Sequence, residues 1–245
     1  RDWNQAISLY GEHEEVQTTL ENAAHAQRKM AEAILKIART SFPDRWRELR
    51  LAMPTLACWV GYDLDGRADI HWSQSLTFRL TEKAMQLERY ADRLGTLLAA
   101  HGKVPGLSGL ARRLAAAARL TRSHAELFAK DLTDADNLVA AANALTGHDQ
   151  SIILDAAEIT AELDSAIPAA SDALAADLIA FRAEVEAQQL GTARIHLRVN
   201  AAQVRTVINR DLGLETEDRE LGRVALAELA QKARRSKPVN VNFGD

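Results

Sequence analysis

Between Trp59 and Trp72 the chain sets Asp63, Asp65 and Asp69 beside Arg67 and His71, with Gly61 and Gly66 among them and apolar residues on the N-terminal side. Carboxylates at this density can hold a cation, cap a helix or order a turn, and glycine supplies backbone conformations that other residues resist. A calcium loop is the first chemistry to test. Placing Gly66 at the glycine such a loop requires puts Gly61 at the first ligand position and Trp72 where a bidentate glutamate belongs, so the pattern fails. Asp63, Asp65, Asp69 and His71 stay compatible with a different metal geometry; the plainer reading is capping and solvation of these carboxylates.

A second chemistry-bearing stretch runs from Thr192 to Val199, where Arg194, His196 and Arg198 alternate with Ala193, Ile195, Leu197 and Val199. Side chains alternate across a strand, so three basic groups share one side. That suits a carboxylate or phosphate ligand; the alternative is an edge strand with a wet polar face.

Other chemistries are absent or weak. There is no His-Glu-x-x-His pair and no Gly-x-Ser-x-Gly elbow. Gly102-Lys103-Val104-Pro105-Gly106-Leu107-Ser108-Gly109 is rich in glycine, yet its lysine follows the first glycine instead of preceding a Ser or Thr at the end, so it reads as an interhelical loop and not a phosphate cradle. Cys58 lies in the apolar run Leu56 to Val60 and reads as a core residue. The basic run Lys232 to Lys237 complements a helix C-terminus.

The elements that position these segments read as helices. Few prolines and aromatics, with many Ala, Leu, Glu and Arg residues, favour helix on propensity. Val16, Leu20, Ala23, Ala24, Met30, Ile34 and Ile37 predict the buried face of a helix from Glu14 to Arg39, ended by Ser41 to Asp44. Leu76, Leu80, Ala84, Leu87, Ala91, Leu94 and Leu98 predict another, capped by Ser73 or Ser75 and running to His101. Further helices are expected over Leu110–Leu132, Ala135–Thr146, Ser151–Ile167, Ser171–Leu190, Ala201–Arg210 and Glu217–Arg235. Asp134, Gly147, Pro168 and Gly191 serve as caps and stops. Strands are expected only near Thr55–Val60 and Thr192–Val199.

The chain of 245 residues is 47% hydrophobic, enough for a substantial core. A net charge of -4 argues against a nucleic-acid partner. A lone cysteine fits a reducing, cytoplasmic compartment, and no apolar run approaches the roughly 20 residues of a membrane span. The opening at Arg1 and the strand-like close at Val239 to Asp245 are read as the cut ends of an internal piece of a longer protein.

Taken together, the two unusual segments resemble phosphoenolpyruvate carboxylase. In that family an apolar strand runs into Gly-Gly-Asp-Arg-Asp-Gly-Asn-Pro and then into a long helix; here Trp59-Val60 leads into Gly61-Tyr62-Asp63-Leu64-Asp65-Gly66-Arg67-Ala68 and the helix ending at His101. Further on the family has a helix ending in glycine and a strand of the type Arg-Ile-Asp-Ile-Arg-Gln; here Gly191 precedes Arg194-Ile195-His196-Leu197-Arg198-Val199. Tyr62, Leu64, Arg67, Ala68, His196 and Val199 depart from the family pattern.

The resemblance implies a mainly α fold, a helical fragment of a modified α/β barrel with a few short strands, in which residues 1–245 are one segment of a larger domain. It implies a lyase that fixes carbon dioxide, joining phosphoenolpyruvate and bicarbonate into oxaloacetate and phosphate to feed the tricarboxylic acid cycle, in a homotetramer without a membrane. The catalytic histidine and the ligands for magnesium or manganese are expected outside this chain, which alone is expected to be inactive. Arg198 matches the strand arginine of the substrate site; Gly61, Asp63, Asp65, Gly66, Arg67 and Arg194 are motif residues without an assigned role. The competing expectation is a non-catalytic helical interaction module.

Overall fold

The computed structural model describes residues 8–206 apart from 68, 103, 105, 148, 150 and 203. The expected helix Glu217–Arg235, the second half of Ala201–Arg210 and the basic run Lys232 to Lys237 lie outside the described residues. The chain is mainly α and divides into two compact units: Arg1–Cys58 with Trp72–Arg194, and Trp59–His71 with Ile195–Asp245.

The first unit carries the helices. α1 spans Leu9–Ser41, its first turn capped by Ser8, whose Oγ accepts from the Gly11 amide at 3.1 Å. Its buried side differs from the expected one: Leu9, His13, Gln17, Leu20, Ala31 and Leu35 face the interior, while Met30, Ile34 and Ile37 are 42%, 38% and 66% exposed. Both stripes have helical spacing. Leu20 is buried as expected and Val16, Ala23 and Ala24 are half-buried, but polarity alone missed interior His13 and Gln17; His13 finds a partner in Glu82 of the next long helix, with Nε2 to Oε1 at 3.1 Å.

A short 3₁₀ turn, Trp46–Glu48, and a two-residue strand β1, Ala57–Cys58, follow. α2 spans Trp72–His101, beginning four residues before Leu76, so Ser73 and Ser75 sit inside its first turn and not at its cap. α3 spans Leu107–Phe128, preceded by Gly106 at φ 85°, where a side chain would be strained. Small Ala117 and Ala118 are buried where α3 runs along α2. α4 occupies Ala135–Thr146 as expected; Asp134 accepts from the amides of Asp136 and Asn137, both at 3.0 Å.

α5 is confined to Ala157–Ala166. The expected start at Ser151 is lost to local bonds, since Asp149 and Asp155 side chains accept from the amides of Ser151 at 2.7 Å and Ala157 at 2.9 Å. A 3₁₀ turn, Ile167–Ala169, contains Pro168. α6, Asp172–Gln188, is the centre of this unit, with Leu174, Leu178, Ile179, Phe181 and Val185 among residues buried around its circumference. Leu87, Tyr90 and Leu94 of α2, Leu114 of α3 and Ile159 and Leu163 of α5 complete the core.

Charges inside this core are paired. Buried Arg182 donates to Asp164 Oδ1 and to the Leu49 carbonyl, both at 2.6 Å, and Glu184 takes Arg28 at 3.2 Å and Arg93 at 3.4 Å. No helix among the described residues is long and apolar enough to cross a membrane. Cys58 is half-buried at the unit's edge, not a core residue.

The expected strand Thr192–Val199 is reduced to β2, Arg194–Ile195, with one isolated parallel bridge at Arg198. The cause lies in the partner segment. The Arg194 amide donates to the Leu56 carbonyl at 2.8 Å, but from Trp59 the chain turns, the Tyr62 amide donating to the Trp59 carbonyl at 2.8 Å with Gly61 at φ 85°. A regular ladder cannot run through such a turn.

Candidate functional site

The second unit brings the two unusual segments together by backbone and by side chain. The Arg198 amide donates to the Tyr62 carbonyl at 3.0 Å and the Leu64 amide to the Arg198 carbonyl at 2.8 Å, so Asp63 and Arg198 lie opposite one another as a parallel pair. From there Arg198 Nη1 reaches Asp63 Oδ2 at 3.0 Å. Two residues on, Asn200 Nδ2 donates to Asp65 Oδ1 at 3.1 Å, while Asn200 Oδ1 accepts from the Ala202 amide at 2.9 Å and so starts the next helical turn. Asn200 was not singled out from sequence; its place directly after the alternating run was the available signal.

Each motif glycine has a separate reason. Gly61 takes a positive φ that turns the chain after Trp59. Gly66 sits where room is tight: its amide donates to Asp63 Oδ1 at 3.2 Å, and a Cβ there would lie 3.0 Å from Asp63 Oδ2. Asp63 is therefore held from two sides, by the Gly66 amide and by Arg198, and its side chain is 15% exposed. Tyr62, where the family pattern has glycine, is buried beside Val60.

The Arg67 guanidinium donates to Asp69 through Nε at 2.9 Å and Nη2 at 2.6 Å. That hydrogen-bonded pairing keeps the Asp69 carboxyl below its usual range. Arg198 remains 56% exposed, with one of its five N–H donors turned to Asp63. His196 and Leu197 are exposed, so the expected split into a wet basic side and a buried apolar side holds for Ala193 but not for Leu197. Arg194 is exposed as well and belongs to the first unit.

Among the described residues, no three His, Cys, Asp or Glu side chains form a metal-binding group. The carboxylates of this turn are committed elsewhere: Asp63 to Arg198 and the Gly66 amide, Asp65 to Asn200, Asp69 to Arg67.

The first unit contributes a buried polar cluster that sequence reading missed. Glu82, only 4% exposed at its side chain, is flanked by His13 at 3.1 Å and by Arg79 Nη1 at 3.5 Å. Gly191 lies directly under that guanidinium, where a Cβ would overlap Arg79 Nη1. The left-handed residue ending α6 is accordingly not Gly191 but Gln189, at φ 58°, whose carbonyl accepts from Tyr90 Oη at 2.8 Å. Burial pushes the Tyr90 hydroxyl well above its ordinary pKa, with Glu184 adding to the effect, so it is a fixed donor.

An open groove of about 590 Å³ in the same unit, lined by Lys36, Arg39, Trp46, Asp172 and Asp177 among others, holds none of the expected site residues. Its charges close on neighbours: Arg47 meets Asp172 at 2.6 Å and His101 meets Asp177 at 2.8 Å. No family model, no curated protein and no solved structure matches the chain.

Proposed function

We propose that this chain is the central, helical part of a phosphoenolpyruvate carboxylase-like lyase, belonging to a modified α/β barrel completed by other segments, and that Arg198 binds the anionic substrate. The observation that carries the reading is the pairing of Asp63 with Arg198: the two segments that resemble the family, 135 residues apart, meet through backbone and side-chain bonds.

Asp63 holds one N–H of the guanidinium, and among the described residues the remaining N–H donors of Arg198 are left for a carboxylate or phosphate in the planar, forked geometry that arginine favours. Such a group offsets the negative charge of phosphoenolpyruvate and of the enolate left when its phosphate moves to bicarbonate. On this reading the magnesium or manganese ligands belong to other segments; among the described residues no three His, Cys, Asp or Glu side chains form a metal-binding group.

Extending the gene in both directions and assaying the longer protein for bicarbonate-dependent oxaloacetate formation tests the reading. Arg198→Ala should lower kcat/KM about 100-fold or more, the scale of one lost electrostatic contact in an active site. An unchanged kcat/KM rejects the role of Arg198; a longer protein that forms no oxaloacetate rejects the lyase. A helical interaction module is favoured by α4, whose Leu138, Val139 and Leu145 are exposed while Ala141 is buried, and by exposed Met30, Ile34 and Ile37 of α1.

A further inference from the structure

Asn200 uses both ends of its side-chain amide to tie down the chain just after Arg198. Its Oδ1 accepts from the Ala202 amide at 2.9 Å and its carbonyl from the Val204 amide at 3.1 Å, which makes it the cap of the helical turn beginning at Ala201. Its Nδ2 donates to Asp65 Oδ1 at 3.1 Å, in the turn that also carries Asp63. Capping alone does not call for asparagine. Aspartate caps a helix equally well, but its carboxylate has no hydrogen to give and would stand against that of Asp65.

The contacts made by Arg198 and Asn200 share one register. Asp63 and Arg198 lie opposite one another, and two residues further along both segments Asp65 meets Asn200. Between these rungs the Leu64 amide donates to the Arg198 carbonyl at 2.8 Å, and the Arg67 amide folds the turn back onto the Asp63 carbonyl at 3.2 Å. The stretch from Arg198 to Asn200 is thus tied to the turn at both of its ends, and the helical turn that follows is tied to Asn200.

We propose that Asn200 is a positioning residue for Arg198: by joining Asp65 to the start of the helical turn, it fixes the backbone from which the Arg198 side chain reaches the anionic group of the substrate. The inference rests on the reading of Arg198 as a substrate ligand and adds to it a residue that acts only through Arg198. The Arg198 side chain is 56% exposed and gives one N–H to Asp63, so the direction of its other donors depends on where its backbone is held. A misplacement of about 1 Å at a substrate contact can cost about 100-fold in rate. Asp65 and Asn200 are both exposed and their bond competes with water, so about 10-fold is expected for its loss.

Kinetics of the longer, oxaloacetate-forming protein test this, with Asn200→Asp as the informative variant because it keeps the cap and removes the donor. Asn200→Asp should lower kcat/KM for phosphoenolpyruvate about 10-fold with a raised KM; a smaller folded fraction would instead lower kcat at unchanged KM. In the Asp65→Asn background, amide and carboxylate have changed places and the hydrogen bond can form again, so there the same change should cost no more than about 2-fold. In the Arg198→Ala background it should also cost no more than about 2-fold, since the residue it acts through is gone. An Asn200→Asp variant equal to the parent, or one just as impaired in the Asp65→Asn or the Arg198→Ala background, leaves Asn200 a cap alone and overturns the inference while the role of Arg198 stands. A longer protein indifferent to Arg198→Ala, or one that forms no oxaloacetate, overturns the reading of Arg198 and this inference together.

Discussion

Replacing Gly191 by alanine should change the sign of its effect according to what residue 79 is. In the parent protein the new Cβ would overlap Arg79 Nη1 and lie 2.9 Å from Cζ, so the guanidinium must swing away. The arginine tip is flexible and 36% exposed, which makes its departure feasible; the cost is the loss of a partner for Glu82, whose side chain is 4% exposed and keeps only His13. Losing a fully buried partner costs about 3–5 kcal/mol, while an exposed pair is worth at most about 1 kcal/mol. With one partner half in water and His13 remaining, about 1–2 kcal/mol is expected.

Gly191 does not have a positive φ, so once Arg79 is alanine the atoms nearest to the methyl group are gone. Gly191→Ala in the Arg79→Ala background should then stabilise by about 0.4–1 kcal/mol, because alanine restricts the unfolded chain. The coupling between the two sites is thus about 2 kcal/mol. Urea unfolding of the four proteins, followed by far-UV circular dichroism, reads it directly. Equal effects of Gly191→Ala in both backgrounds would refute the close approach of guanidinium and glycine.

Gln189→Gly should raise stability by about 1 kcal/mol, since φ 58° with ψ -134° is a conformation that glycine adopts without strain; no gain in the urea midpoint would show that the backbone there relaxes. Acid should weaken the first unit through Asp164. Burial raises this carboxyl, but hydrogen bonds from Arg182 and Arg50 outweigh it and hold the folded pKa below 3.8. A group depressed on folding stabilises above its unfolded pKa, and the contribution fades as pH falls from about 3.8 through the lower folded value. Asp164→Asn should therefore flatten the loss of stability in that window; an unaltered slope would remove Asp164 from the acid response.

Long periodic helices were legible in the sequence, and α4 to the residue, because spacing and a capping aspartate acted together at Asp134. The orientation of α1 was not legible. A rule that sends polar residues outward cannot foresee His13 meeting Glu82 across 69 positions, and it placed Met30, Ile34 and Ile37 inside when they lie outside. At the site, glycine signalled a special backbone at Gly61, but the same residue type answered to crowding at Gly66 and Gly191, where the neighbour is a distant or folded-back side chain. The ladder was overestimated because alternation in Arg194 to Val199 describes one strand and says nothing of its partner, which turns at Gly61. The pairing of Arg67 with Asp69 was also hidden, since both readings of that arginine use the same local residues.

The second unit is discontinuous in sequence, its short piece Trp59–His71 separated from Ile195 onward by α2 through α6. Bringing Asp63 to Arg198 in an unfolded chain would require closing a very long loop, at an entropic cost that no single ion pair and two backbone bonds can offset. Once the intervening helices have assembled, most of that cost has already been met by contacts made within them. The Asp63–Arg198 pair is therefore a late event in folding, formed only when the helical unit is sound, so that any damage to that unit reaches Arg198 without touching it.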